Sequence, residues 1–353
     1  MNGNADGNRN SNSRMHGDER EITPALVRHL VARQFPHWAD QPVTRVPSTG
    51  TVNAMFRLGD DMAVRLPRVP GGVEDVALEH DWLPYLAPRL PVPVPQVLGK
   101  GLPAPEDGYP WPWTVLRWLD GANPVVGRLT DPGRLARGLA EFVAALRRVD
   151  ATGGPPAYRG GPLAGLDAAT REALAQLGAL RERGLVDLGA DAVPALTEAW
   201  ERALAAPLWP GPPVWVHSDL MPGNLLVGED GGLAAVIDFG TLGVGDPACD
   251  LVAAWYVLPP EARETFREAL GDGPARRDER ARWNEPAGRD ERALWERGRG
   301  WALSMAALQY PYYRETNPPF AADALRTLRA LLAPEAAGLT SPRTPGPSAG
   351  GSS

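Results

Sequence analysis

The spacing of apolar residues along the first part of the chain predicts one helix followed by a strand-rich region. Leu26, Val27, Leu30 and Val31 recur at helical spacing, which predicts a helix over about 24–35. The pattern then changes to short apolar runs of β type, each bounded by turn residues: VTRVPS, NAMFRLG and DMAVRLP. These runs predict an antiparallel start of three strands.

A second helix and one more buried strand follow. Glu74 to Leu86 carries apolar residues at helical spacing and is predicted to be helical. The proline-dense segment PRLPVPVPQ must be extended, because proline cannot continue a helix and restrains the residue before it. The segment WPWTVLRWLDG then predicts a buried strand that runs into a glycine turn. We place a boundary between two parts of the chain near Gly121.

The second part of the chain has a mostly helical pattern with one interruption. Two apolar runs, Leu225–Val227 and Leu233–Ile237, flank a turn-forming segment and predict a hairpin. Helical periodicity occurs in four segments around it: from Asp131 onward, about 168–183, about 191–206, and about 248 to Ala333.

Composition places the chain among ordinary globular proteins. Its 353 residues are 43% hydrophobic, which is enough for a sizeable core. There are 36 Lys and Arg against 43 Asp and Glu, so the net charge of −7 offers no basic field for nucleic acid or an anionic membrane. No apolar stretch approaches the roughly 18 residues of a membrane helix, and the start lacks a signal-peptide core. We therefore expect a cytoplasmic protein.

Both ends of the chain and its single cysteine add two smaller expectations. Residues 1–21 and 334–353 are rich in Asn, Gly, Pro and Ser, and we expect them to be disordered tails. Cys249 is the only cysteine and lies in an apolar context, which favours a buried structural thiol.

One set of polar residues in the second part indicates chemistry. His217-Ser218-Asp219 is followed by Asn224 and, after the predicted hairpin, by Asp238-Phe239-Gly240. Phosphoryl transfer requires a carboxylate near the attacking hydroxyl and oxygen ligands for Mg²⁺. Asp219 can serve as the base or orienting group, with Asn224 and Asp238 as metal ligands. We expect each to lie at the edge of a short strand of one hairpin, so that the side chains converge on one point.

Three segments of this region, HSDLMPGN, AVIDFG and GDPACDL, together resemble the aminoglycoside phosphotransferase family, within the wider protein-kinase-like fold that also holds choline kinases. The similarity runs from Val43 to Trp255. It implies a bilobal α+β protein-kinase-like fold, with a small antiparallel-sheet N-lobe over 22–121 and a mostly helical C-lobe over 122–333. It also implies that ATP and Mg²⁺ bind between the lobes and that a small-molecule hydroxyl acceptor receives the phosphate.

The resemblance further implies a nucleotide cradle in the first lobe. The loop between the first two predicted strands could fold its backbone N–H groups over the ATP phosphates. It is not a Walker loop, because the chain has no G-x-x-x-x-G-K-[ST] pattern, and taken alone it is an ordinary hairpin turn. The candidate nucleotide-binding residues of this loop are Ser48, Gly50, Thr51 and Asn53.

A further nucleotide contact is implied by the segment Met62-Ala63-Val64-Arg65, which corresponds to the kinase V-A-I-K strand. Arg65 stands in place of the phosphate-binding lysine; it keeps the charge but differs in size and geometry. The resemblance implies Glu79 on the following helix as its partner, with Glu74 as the alternative. Leu116 and Trp118 belong to the segment between the lobes that would meet the adenine through backbone groups.

Three residues near the catalytic motif are expected to shape it. His217 corresponds to a histidine with a structural role in the family. Ser218 stands where the family usually has glycine, so a backbone conformation that only glycine tolerates would be strained here. Asp250, in GDPACDL, resembles the aspartate that braces the catalytic loop.

The identity of the acceptor stays open at this stage. A polycationic antibiotic would favour a carboxylate-lined cleft, whereas the segment 276–299 is mixed, with eight arginines and six acids. Trp301 and Tyr310, Tyr312 and Tyr313 could line a sugar site or belong to a packed core. The alternatives to an aminoglycoside-like acceptor are a metabolic kinase for choline, homoserine or a ketosamine, or a nucleotide-binding pseudokinase. A metal-dependent hydrolase is disfavoured because the chain has only five histidines.

Overall fold

The computed structural model describes residues 21–47, 52–272 and 289–333. Its N-terminal part contains helix α1 (Pro24–Gln34), helix α2 (Gly72–Leu86) and the strands β1 (Val43–Arg45), β2 (Asn53–Leu58), β3 (Met62–Pro67), β4 (Val97–Gly101) and β5 (Trp113–Arg117). The strands form one antiparallel sheet of five, in the order β1-β2-β3-β5-β4. The predicted first helix, the three-strand start, the second helix and the buried strand are all confirmed.

Alternation of apolar and polar residues explains how the sheet buries one of its faces. In β2 the side chains of Ala54, Phe56 and Leu58 are buried, and the residues between them are only partly so. A strand turns successive side chains to opposite faces, so this alternation packs one face of β2 into a core. Helix α1 covers that core with Val27 and Leu30.

Strand β4 was not predicted, and its sequence explains why. It follows the proline-dense segment and reads Val-Leu-Gly-Lys-Gly, which shows no apolar alternation. Its glycines are required by close packing: a Cβ on Gly101 would lie 2.1 Å from the ring of Trp113. Gly99 similarly meets the ring of Phe35. Two of its five residues are glycines that let these rings approach, so the strand has only a weak strand signal of its own.

The rest of the described chain is mostly helical, as predicted. Asp131 begins the first of these helices by accepting a hydrogen bond from the N–H of Arg134 at 2.8 Å. Trp301 and Tyr310 are buried in the core that these helices share. The helices are α3 (Pro132–Arg148), α4 (Asp167–Glu182), α5 (Ala192–Ala205), α6 (Ala253–Tyr256), α7 (Pro260–Asp272), α8 (Arg289–Tyr313) and α9 (Pro318–Leu332).

Two short antiparallel pairs lie within the helical part. The predicted hairpin is confirmed as β7 (Leu225–Val227) and β8 (Leu233–Val236). The other pair joins β6 (Val214–Val216) to β9 (Gly243–Gly245) and was not predicted. With two glycines in three residues, β9 has no apolar pattern, and its partner lies far from it along the chain.

Four smaller expectations concern the cysteine, membrane-spanning helices, the two tails and the mixed-charge segment. Cys249 is buried, as expected, and burial raises the pKa of its thiol. No helix among the described residues is both long and apolar enough to cross a membrane. The tails predicted over 1–21 and 334–353 lie outside the described residues except for Glu21, as does most of the mixed-charge segment 276–299.

Candidate active site

The β7–β8 hairpin brings Asn224 and Asp238 to the same end of two paired strands. Leu225 pairs with Val236 in the strand register, and the N–H of Ile237 donates to the carbonyl of Asn224 at 2.9 Å. Asn224 therefore immediately precedes one strand and Asp238 closely follows the other. Asp238 has a φ of +62°, a left-handed conformation that aspartate tolerates better than most residues.

Asp219 joins these residues through Asn224, although it does not lie at the edge of the hairpin. It follows β6 and belongs to the loop that leads into β7, so the expectation of three positions on one hairpin was wrong for Asp219. The Asn224 Nδ2 donates to the Asp219 carbonyl at 2.8 Å and to its Oδ2 at 2.9 Å. Asn224 Oδ1 accepts no hydrogen bond from the described residues and is available to a further ligand.

His217 and Asp250 hold the backbone of the loop that carries Asp219. The buried Asp250 carboxylate accepts from the N–H of His217 at 3.0 Å and of Ser218 at 2.7 Å. Burial raises the pKa of Asp250, and these backbone donors act against that effect. The His217 Nδ1 accepts from the N–H of Asp219 at 3.3 Å, so its Nε2 donates to the Ile237 carbonyl at 3.1 Å. His217 thus ties the Asp219 loop to the Asp238 loop, and Asp250 occupies the bracing position that the resemblance implied.

Ser218 adopts the strained backbone conformation that its position suggested. Its φ is +65°, in the left-handed region that favours glycine. The Ser218 Oγ donates to the carbonyl of Thr241 at 2.7 Å, and the Thr241 Oγ1 donates to the carbonyl of His217 at 3.0 Å. Both hydrogen bonds help to hold the turn, and glycine at position 218 could not make the first of them.

Arg65 and Glu79 form a buried ion pair that reaches the Asp238 loop. Arg65 Nη1 lies 2.7 Å from Glu79 Oε1, and Nη2 lies 2.6 Å from Oε2. Glu79 Oε1 also accepts from the N–H of Phe239 at 2.8 Å, and Arg65 Nη1 lies 3.5 Å from Asp238 Oδ1. Burial lowers the pKa of Arg65, but the nearby carboxylates of Glu79 and Asp238 raise it by more. Glu74 is exposed and does not take this place.

Leu116 and Trp118 lie on the same face of the sheet as Arg65. Ala63 pairs with Leu116 in the β3–β5 register and with Arg57 in the β2–β3 register, and alternation along β3 places Arg65 on the same face. The guanidinium carbon of Arg57 stands 3.9 Å from the centre of the Trp118 ring. The N–H of Trp118 already donates to the Asp61 carbonyl at 2.7 Å, so a base would have to meet other groups of this segment.

The predicted phosphate loop is described only at its end. Ser48, Gly50 and Thr51 lie outside the described residues. Asn53 begins β2 opposite Pro67, and its Oδ1 is buried without a hydrogen-bond partner among the described residues. Its role in nucleotide binding stays a prediction.

Arg159 also belongs to the site and was missed in the sequence. Its Nη1 donates to Asp219 Oδ1 at 2.9 Å and to the Ser218 carbonyl at 3.2 Å. It lies in the connection between α3 and α4, sixty residues before Asp219, and the surrounding letters Tyr-Arg-Gly-Gly carry no functional pattern. No local signal could have identified it, because its proximity to Asp219 depends on packing.

The residues present fit a magnesium ion that is shared with phosphate. Within residues 21–47, 52–272 and 289–333, no group of three or more His, Cys, Asp and Glu could hold a metal alone. Mg²⁺ is commonly bound by one or two carboxylates together with phosphate oxygens and waters. The half-exposed carboxylate of Asp238 and the uncommitted Oδ1 of Asn224 match that ligand set.

The family model described as the phosphotransferase enzyme family matches residues 43–301 of the chain. The chain belongs to this family. Its match extends past both sides of the hairpin and includes Arg65, Glu79, Asp219, Asn224 and Asp238. The chain is an enzyme of the phosphotransferase family, and the resemblance drawn from the catalytic motifs is confirmed. No match was found among curated protein sequences.

Several solved structures share the fold of this chain. The aminoglycoside phosphotransferase APH(2″)-IIIa in complex with GDP and kanamycin has a TM-score of 0.61 at 19% identity, over 88% of this chain and 98% of that one. Macrolide 2′-phosphotransferase MphH from Brachybacterium faecium has a TM-score of 0.54 at 26% identity, over 86% and 97%. ADP-bound APH(2″)-Ib has a TM-score of 0.52 at 15% identity, over 88% and 98%. The fold of this phosphotransferase is therefore protein-kinase-like.

Proposed function

We propose that this phosphotransferase moves the γ-phosphate of ATP, with Mg²⁺, to a hydroxyl of a small molecule. The observation that carries the proposal is the bridge made by Asn224, whose amide nitrogen holds the carboxylate of Asp219 while its oxygen is left for a metal. Asp238 lies beside it at the end of the paired strand. We also propose that the nucleotide binds between an N-lobe of residues 22–121 and a C-lobe of residues 122–333.

The roles of the residues follow from this arrangement. Asn224 and Asp238 would hold Mg²⁺, which when bound neutralises charge on the phosphates. Arg65 is held in place by Glu79 and lies 3.5 Å from Asp238, so it would contact the phosphates beside the metal. Asp219 orients the acceptor hydroxyl and takes its proton. A bond forms between the acceptor oxygen and the γ-phosphorus, while the bond to the β–γ bridging oxygen breaks and ADP leaves.

The acceptor is the part of the proposal with more than one candidate. An aminoglycoside-like antibiotic is one, since a structural relative was solved with kanamycin. A metabolic small-alcohol kinase is the second candidate, with the same residues in the same roles. The Arg159 guanidinium lies 2.9 Å from Asp219 Oδ1, and its charge disfavours an acceptor with an ammonium group beside the reacting hydroxyl, whether an aminoglycoside or choline. A nucleotide-binding pseudokinase is the third candidate, and turnover of any acceptor would exclude it.

Replacement of Asp219 tests the catalytic assignment. We expect Asp219→Ala to lower the rate of phosphate transfer by about 10²–10⁴-fold, because it removes the base while the nucleotide site is left intact. The measurement is transfer from radiolabelled Mg-ATP to a panel of amino sugars, macrolides and small alcohols. Asp230→Ala is the matched control, since Asp230 lies exposed in the turn at the far end of the hairpin. Full activity in Asp219→Ala would overturn the assignment.

Replacement of Asp238 tests the metal site separately. Asp238→Ala should weaken binding of Mg-ATP itself and change its dependence on Mg²⁺, because it removes the only carboxylate assigned to the metal. Titration of nucleotide with and without Mg²⁺ measures this by a shift of the melting temperature, since a bound ligand stabilises the native state. If the Mg²⁺ dependence of nucleotide binding is the same in Asp238→Ala, Asp238 does not hold the metal.

A further inference from the structure

The backbone on either side of Arg159 is fixed to the strand that follows the Asp238 loop. The N–H of Ala157 donates to the Val244 carbonyl at 3.1 Å, and the N–H of Tyr158 to the Thr241 carbonyl at 3.4 Å. Beyond Arg159, the carbonyl of Gly160 accepts from the N–H of Asp246 at 2.8 Å. Backbone hydrogen bonds on both sides therefore hold the position of Arg159, which favours a defined function for its side chain.

The guanidinium of Arg159 is hydrogen-bonded to one carboxylate oxygen of Asp219, the proposed base. Arg159 binds Asp219 Oδ1, whereas Asn224 binds Oδ2, so the two oxygens have different neighbours. The side chains of Arg159 and Asp219 are 21% and 17% exposed, so solvent screens the pair only in part. An acceptor hydroxyl that reaches Oδ1 must come close to the positive charge of Arg159.

The other N–H groups of Arg159 are directed to no partner in the described part of the chain. Nε and Nη2 make no hydrogen bond to the described residues, and the Tyr158 ring lies 5.0 Å from the guanidinium carbon. A guanidinium offers hydrogen-bond donors and no acceptor. Oxygen atoms of an acceptor molecule can therefore bind Arg159, and an ammonium group cannot.

Three uncharged side chains lie near Asp219, and the carboxylate of Asp323, which acts on one of them, is itself paired with Arg326 at 2.7 Å. Next to Asp219, the Met221 sulfur accepts from Gln309 Nε2 at 3.6 Å, and the Tyr256 hydroxyl donates to Gln309 Oε1 at 2.7 Å. Burial raises the pKa of Tyr256 well above its ordinary value, so its hydroxyl stays neutral. Met221, Tyr256 and Gln309 therefore place no charge of their own near the proposed base.

We infer that Arg159 is a specificity-determining residue, which selects acceptors that carry a neutral or anionic oxygen-bearing group beside the reacting hydroxyl and rejects those that carry an ammonium group there. The inference rests on the proposed function, since it assumes transfer to a hydroxyl at Asp219. It narrows the acceptor class to oxygen-rich molecules such as hydroxy acids, uronic acids or uncharged sugars.

The test compares acceptors that share a pyranose ring and differ in one group: glucosamine, with its amine protonated, glucose, and glucuronate. The ratio of kcat/KM for glucosamine to kcat/KM for glucuronate is measured with Mg-ATP in the wild type, Arg159→Ala and Arg159→Lys. Arg159→Ala should raise this ratio about tenfold or more, because it removes a positive charge close to the hydroxyl. Arg159→Lys keeps the charge and should leave the ratio near the wild-type value. Arg128→Ala, at an exposed arginine, is the control.

Each outcome decides the inference. An equal loss of kcat/KM for all three sugars in Arg159→Ala would mean that Arg159 only positions Asp219, and the inference would be wrong. It would also be wrong if the wild type preferred glucosamine, or if neither wild type nor Arg159→Ala transferred phosphate to any of the sugars. Hydrolysis of Mg-ATP without acceptor separates failure of the inference on Arg159 from failure of the proposed function. If the wild type neither binds the nucleotide nor hydrolyses Mg-ATP, the proposed function itself fails. If hydrolysis is present and the ratio is unchanged, only the inference on Arg159 fails.

Discussion

Replacing Glu79 with glutamine would leave a buried cation without its partner. Arg65 and Glu79 are 4% and 0% exposed, so neither charge is well solvated in the folded protein. Removing one partner of a buried pair typically lowers the free energy of unfolding by about 3–5 kcal/mol. Asp238, whose Oδ1 lies 3.5 Å from Arg65 Nη1, can offset part of the loss, and the glutamine oxygen can still accept one hydrogen bond. We therefore expect a decrease of about 3 kcal/mol for Glu79→Gln.

Urea-induced unfolding, followed by tryptophan fluorescence, measures this decrease. Glu74→Gln is the matched control, since Glu74 is exposed on the same helix and its replacement should change the free energy of unfolding by less than about 0.5 kcal/mol. Replacing both members of the pair by methionine should be less harmful than Glu79→Gln, because no buried charge remains. A decrease below about 1 kcal/mol in Glu79→Gln would refute the reasoning, since the Arg65 charge would then be well solvated without Glu79.

Two further predictions concern Ser218 and Asp75. Ser218→Ala should lower the free energy of unfolding by about 1 kcal/mol through loss of the hydrogen bond to Thr241, whereas Ser218→Gly should stay near the wild type because relief of the left-handed strain offsets that loss. Urea unfolding distinguishes them, and a glycine variant less stable than the alanine variant would contradict the prediction. Burial and the charge of Asp238 raise the pKa of Asp75 from 3.8 to about 6, so the folded state binds this proton more tightly and loses stability as pH rises from 4 to 6. Asp75→Asn should remove this loss, so its melting temperature without Mg²⁺ should match the wild type near pH 4 and exceed it at pH 7; a difference independent of pH would contradict the assignment.

Much of the fold could be predicted because its signals are local. Helical spacing located α1, α3, α4 and α5, and Asp131 marked where one of them begins. Strand alternation located the first three strands. Among the elements that were missed, β4 and β9 each contain two glycines, and β6 pairs with β9 across a long stretch of chain. The structure of these strands depends on the residues that pack against them. The spacing of apolar residues along the chain does not reveal those contacts.

Some contacts of the candidate site could likewise be predicted from the sequence. The chain itself brings Asn224 and Asp238 together, because a short turn joins the two strands whose ends carry them. The pairing of Arg65 with Glu79 followed from the family motif, and the structure distinguishes it from the alternative with Glu74 by burial.

The position of Arg159 and the support from Asp250 were decided by the tertiary structure. The sequence determined which residues could carry the chemistry and which neighbours along the chain would lie near one another. Arg159 comes close to Asp219 only because the segment after α3 is hydrogen-bonded to β9, which in turn pairs with β6. The charge beside the proposed base therefore depends on contacts between distant segments, and such contacts form only when the whole lobe packs.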